Sequence, residues 1–166
     1  MTMPPAAVST TDSGAAFPPI ETILPHRGTM LFIDRVSACS DATLRAHASV
    51  RSDAWYADDD GAMPAWIGIE LMAQGVAAHI ALLAMRAGGA ARPGVLLGTR
   101  SYQAHVPAFA PGAHLSVDVQ EVLSSEAGHS AYECTIDHDG VRWAEATIKV
   151  FQPGNFQTFI EGSFRS

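Results

Sequence analysis

Between Pro64 and Gly89 the chain reads PAWIGIELMAQGVAAHIALLAMRAGG, and only Glu70, Gln74 and His79 interrupt its apolar character before Arg86. A proline near the first helical position and a double glycine at the end bound one long helix. Because this helix is apolar nearly all round, protein must surround it. A membrane-spanning reading fails on physical grounds: Glu70 and Gln74 would lie in lipid, and the clean apolar run after them is too short to span.

The flanking sequence supplies strands to cover such a helix. Residues 1–16, MTMPPAAVSTTDSGAA, are small, polar and aperiodic, the composition of a disordered tail. Residues 17–166 form the folded domain, whose first strand is expected around Met30–Val36. In Thr43–Arg51, Leu44, Ala46, Ala48 and Val50 alternate with polar neighbours, which predicts a half-exposed strand hairpinned to the first through Ser40 and Asp41. Gly94–His105, His114–Leu123, Ser130–Asp137 and Val141–Phe151 read as four more strands, the last two joined by a tight turn at His138-Asp139-Gly140. The order is hairpin, buried helix, antiparallel meander. That order predicts an α+β fold in which one antiparallel sheet wraps around one central helix. A single sheet covers only part of such a helix, so a second subunit is expected to complete its burial.

Composition narrows the partners. Ten Lys plus Arg against seventeen Asp plus Glu give a formal charge of -7, which disfavours binding nucleic acid. Cys39 and Cys134 fit no CxxC spacing, and the N-terminus lacks the order of a signal peptide, so a cytoplasmic location is expected. The seven histidines form no HxH or HExxH pair, and no metal is expected. Asp58-Asp59-Asp60 before Gly61 reads as a solvated turn.

Glu70 is the most informative residue, because a carboxylate inside an apolar helix is costly unless it is hydrogen-bonded or does chemical work. Gln74, one turn later on the same face, can supply the hydrogen bond. We expect Glu70 to be buried in a narrow cleft and bonded to Gln74. The residues alone leave a structural Glu–Gln pair and a catalytic acid equally open.

Three blocks carry a family resemblance. Leu24-Pro25-His26-Arg27 followed by Leu31-Phe32-Ile33-Asp34-Arg35-Val36 resembles the opening of bacterial 3-hydroxyacyl-ACP dehydratases of the FabZ type, which have the hot-dog fold. Pro64, Glu70, Met72, Ala73 and Gln74 match the family's P-x5-E-x-M-A-Q helix, and Pro107, Pro111-Gly112 and Leu115 match its P-x-x-PG-x-x-L crossing. The segments containing PAW-x-GIE-x-MAQ and LLGTR are most similar to the divergent dehydratase-like proteins of aryl-polyene clusters.

The resemblance implies removal of water from a 3-hydroxyacyl thioester carried on the phosphopantetheine of an acyl carrier protein, with no further cofactor. In the family a His takes the α-proton, the Glu protonates the leaving hydroxyl, and the two come from opposite subunits of a dimer. Glu70 takes the acid's position, and the backbone N–H of Ala65 that of the thioester-carbonyl donor at the helix start. The family's His lies fourteen residues before the Glu; here that position is Tyr56, a phenol and a poor base. His79 is out of phase with Glu70 on the helix and reads as a core residue, His26 in LPHR as structural, and His105 as outward-facing. Two functions follow: a dehydratase, alone or as half of a composite site completed by a His-bearing hot-dog partner, in a homodimer or heterodimer; or a non-catalytic subunit that binds the carrier protein or stabilises an active partner. A thioesterase that directs a helix carboxylate at water ranks third.

Overall fold

A computed structural model describes residues 16–90, 92 and 94–163. All but the last residue of the expected N-terminal tail therefore lies outside the described residues. The elements in chain order are α1 (Ile20–Ile23), a 3-10 turn (Gly28–Met30), β1 (Arg35–Cys39), β2 (Thr43–Ser49), β3 (Met63–Pro64), a second 3-10 turn (Ala65–Ile67), α2 (Gly68–Arg86), β4 (Val95–Ala104), β5 (Ala108–Phe109), β6 (His114–Ser124), β7 (His129–His138), β8 (Val141–Phe151) and α3 (Phe156–Ser163).

Six strands form one antiparallel sheet in the order β1-β2-β6-β7-β8-β4. The short β3 and β5 pair separately beside the start of α2. The alternation read in β2 holds, with Leu44, Ala46, Ala48 and Val50 all buried. The β7–β8 turn places Asp139 at φ 48° and Gly140 at φ 77°, the doubly left-handed geometry that matches strand twist in a two-residue hairpin.

The helix lies against one face of this sheet, in contact with β2, β6, β7 and β8. At Gly75 the approach is close enough that an added Cβ would stand 3.1 Å from Val119 Cγ1, so a larger residue would push the helix off β6. By length and composition Ala65–Arg86 could cross a membrane, but 61% of its most apolar window is buried inside the protein, as in a core helix. One sheet does not cover it fully. Ile69, Glu70, Ala73, Ala77, Ile80 and Ala84 form a partly exposed stripe along its length.

Two expectations need correction. The first strand begins at Arg35, not Met30, because the N–H groups of Phe32 and Ile33 turn inward to the side-chain oxygen of Gln74 at 2.9 and 3.4 Å. The same amide donates through Nε2 to Met30 O at 2.7 Å and to Glu70 Oε1 at 2.9 Å. Backbone groups satisfied by a side chain are not available to a strand ladder. The long helix begins at Gly68, not Pro64, because the Ala65 N–H is bonded to Pro107 O and the next residues wind as a 3-10 turn.

Edge strand β4 is irregular. Its register with β8 breaks between Leu96 and Gly98 and again between Arg100 and Gln103, and Ser101 sits at φ 58°. Leu96 and Leu97 are both exposed on it.

His79 is a core residue, as expected. It is fully buried, with Nδ1 3.0 Å from the Tyr132 hydroxyl and Nε2 3.0 Å from Ser40 O. The carbonyl can only accept, so Nε2 carries the hydrogen and Nδ1 accepts from Tyr132, whose hydroxyl is kept protonated by burial. The neutral ring joins α2 to β7 and to the β1–β2 turn.

Gln74→Met, close to Gln in size, is expected to lower the unfolding free energy by about 3 kcal/mol, because it strands the Phe32 N–H and the Met30 carbonyl. An unshifted urea midpoint would show that these groups find other partners. Burial lowers the pKa of His79 from 6.5, and burial with Arg35 and Arg45 lowers that of His47. The unfolded state then binds more protons, so stability is fully present above 6.5 and falls as pH drops below it. His79→Gln is expected to flatten this dependence in thermal melts between neutral and mildly acid pH, leaving the part due to His47.

Candidate functional site

The uncovered stripe of α2 forms one wall of a groove of about 570 Å³, closed on the other sides by the 21–27 segment and by β4 and β8. Glu70, His26 and Gln74 are among its polar lining, with Arg27, Arg92 and Gln152, while Ala73, Ala77 and Ile80 make an apolar floor.

Glu70 is positioned by Gln74, as expected, through Nε2 to Oε1 at 2.9 Å. Gln74 is 1% exposed, and its orientation is forced: the Phe32 N–H requires an oxygen, so the NH2 group must face Met30 O and Glu70. Because Gln74 donates to Oε1, a proton carried by Glu70 belongs on the other oxygen. The expected burial is not reached within the single chain, where the Glu70 side chain is 38% exposed. The reason is its place on the stripe that one sheet leaves open.

His26 is brought to the same groove, with Nε2 3.7 Å from Glu70 Oε1. The LPHR motif reads it as structural, and no spacing could have shown otherwise, since the two lie forty-four positions apart. The segment is shaped by Arg27, whose guanidinium donates to the carbonyls of Leu24, His26 and Glu21 at 2.6, 2.7 and 2.8 Å. These bonds bind the end of α1 and fix the backbone that carries His26.

Tyr56 is not brought to Glu70 within this chain. It is 8% exposed, packs against Phe32 and Trp55, and its hydroxyl accepts the Arg51 N–H at 3.0 Å. It lines a separate cavity of about 310 Å³ beside Arg51 and Asp34. The role inferred for the Ala65 N–H also needs correction, because that group donates to Pro107 O at 3.2 Å. The Ala65 carbonyl accepts from the Tyr102 hydroxyl, whose pKa burial pushes up to about 12, keeping it a donor. Gly68 leaves the space that this hydroxyl occupies.

Other candidates fall to structural roles. Asp58 Oδ1 accepts the N–H groups of Asp60 and Ala62 at 3.0 and 2.9 Å, an ordinary side-chain-braced turn. His105 is exposed and lies 3.6 Å from Glu145. Both cysteines are free, and burial raises both thiols. Among the described residues no three His, Cys, Asp or Glu side chains gather where they could hold a metal.

Comparisons with known proteins bear on the fold and the family. Among solved structures the chain is similar to one in the dehydratase heterocomplex ApeI:P from Xenorhabdus doucetiae, at 27% identity and a TM-score of 0.81 over 87% of this chain and 97% of that one. More distant similarity links it to a hypothetical thioesterase with coenzyme A from Streptococcus pneumoniae (16% identity, TM-score 0.59, 73% of this chain and 86% of that one). It also links it to smu.793 from Streptococcus mutans bound to acetyl CoA (16% identity, TM-score 0.60, 80% and 97%). These two show the shared hot-dog fold alone. No curated protein matches the chain. The family model described as ApeP dehydratase matches residues 18–161, nearly the whole folded domain, and the chain therefore belongs to the ApeP-like dehydratase family of hot-dog proteins.

Proposed function

We propose that this chain is one subunit of a hot-dog hetero-assembly that removes water from a 3-hydroxyacyl thioester, delivered by the phosphopantetheine arm of a cytoplasmic acyl carrier protein during aryl-polyene or related chain building. The observation that carries this reading is Glu70 Oε1 held at 2.9 Å by a Gln74 amide that cannot turn. The carboxyl is thereby oriented with one oxygen anchored and the other left for substrate, as a general acid requires. The apolar floor of the groove accommodates an acyl chain. The family match and the similarity to a subunit of a dehydratase heterocomplex support the reaction class and the hetero-partnering.

In this reading the α-proton leaves to a histidine of the partner subunit. The position at which the family carries its own histidine is filled by Tyr56, whose hydroxyl is already bonded to the Arg51 N–H. Glu70 then protonates the departing hydroxyl as the new double bond forms. Only protons and one water move, so no redox cofactor or metal is called for. The thioester carbonyl takes its hydrogen bond from a donor other than the Ala65 N–H, which Pro107 holds.

With its hot-dog partner, the chain is expected to convert a 3-hydroxyacyl-pantetheine thioester to the enoyl product, and alone to do so poorly. Glu70→Gln in this chain is expected to slow the complex by about 10²–10⁴-fold. Product is followed by the absorbance of the conjugated thioester. An unchanged rate for Glu70→Gln would assign this chain a non-catalytic, carrier-binding or stabilising role, full turnover by the chain alone would remove the need for a partner base, and release of free thiol would indicate a thioesterase.

A further inference from the structure

We infer that His26 and Glu70 together form the pocket for the substrate's 3-hydroxyl oxygen, with His26 Nε2–H donating to the same oxygen that Glu70 protonates. This assignment rests on the dehydratase reading above and adds to it a residue of this chain. His26 Nε2 stands 3.7 Å from Glu70 Oε1, the oxygen that Gln74 anchors, too far for a direct hydrogen bond, and His26 and Glu70 both belong to the wall of one groove. A hydroxyl oxygen at about 2.8 Å from the imidazole nitrogen therefore stands beside the same carboxyl group, whose oxygen not anchored by Gln74 carries the proton to be given.

The hydrogen's place on Nε2 follows from the other side of the ring. His26 Nδ1 is buried and has no hydrogen-bond partner among the described residues. A stranded N–H there costs more than a stranded lone pair, so the hydrogen sits on the groove-facing nitrogen. The groove thus presents a donor beside an acid. When the hydroxyl leaves, Glu70 gives up its proton to it, the C–O bond breaks as the electron pair of the α-C–H bond becomes the double bond, and the α-proton goes to the base. His26 keeps its proton throughout and stabilises the negative charge developing on the departing oxygen. It also makes the groove prefer acyl chains that carry the hydroxyl, since a chain without it leaves the Nε2–H unpaired.

The test compares binding of 3-hydroxybutyryl-pantetheine and butyryl-pantetheine to the complex of this chain with its hot-dog partner. Titration calorimetry is done in a Glu70→Gln background, where no substrate is consumed. The hydroxylated thioester is expected to bind more tightly, and His26→Ala to erase about three- to tenfold of that preference while leaving butyryl affinity unchanged. His26→Gln, which keeps an N–H, is expected to retain part of it. The backbone at residue 26 is held by Arg27 regardless of the side chain, and matching thermal melts would confirm that the variants fold. Equal loss of affinity for both thioesters, or a preference that survives His26→Ala, would overturn the assignment. If Glu70→Gln leaves turnover intact while His26→Ala still erases the preference, the hydroxyl pocket stands and the dehydratase reading falls.

Discussion

The amide of Gln74 is the junction on which the other parts of the molecule depend. It is buried on the inner side of a helix, and it makes four hydrogen bonds: two accepted from the backbone of residues 32 and 33, one donated to Met30, and one donated to Glu70. Each of these bonds forces the next. The backbone donors fix which end of the amide is oxygen, the oxygen fixes where the NH2 group points, and the NH2 group fixes one carboxylate oxygen. A structural demand, closing the chain segment that precedes β1 onto α2, is thus met by the same group that aims the candidate acid. The alternatives left open by the sequence, a core pair or a catalytic carboxyl, are not exclusive: Gln74 is the core residue and Glu70 the half-exposed one.

Much of this was legible in the chain. Period-two alternation located β2 and the turn-bounded runs located the other long strands to within a residue or two; β2 and β8 bury alternate residues, whereas edge strand β4 shows no such alternation. The apolar run located α2. What was not legible depended on contacts distant in sequence. The start of β1 moved because Gln74, forty-two residues away from Phe32, takes its N–H group, and the start of α2 moved because Pro107 takes the N–H of Ala65. His26 is the same kind of case: an arginine grip on three carbonyls sets its position, and no local propensity encodes it.

The openness of the Glu70 groove has a physical cause in the count of layers. One six-stranded sheet covers one side of α2, and the strip that remains carries small residues, Ala73 and Ala77, with Glu70 at one end. Small side chains leave depth for a ligand or for a second helix. A carboxyl that is oriented by its own chain yet only partly shielded by it suits the proposed assembly, in which a second subunit completes the site.

The broken register of β4 bears on how such a subunit finds its companion. A straight sheet edge adds any exposed strand by backbone pairing, which reads no sequence. An edge interrupted at Gly98 and again around Ser101 offers only short regular runs, and an incoming strand without matching irregularities would leave amide groups unpaired. Pairing at such an edge depends on backbone shape as well as on side chains.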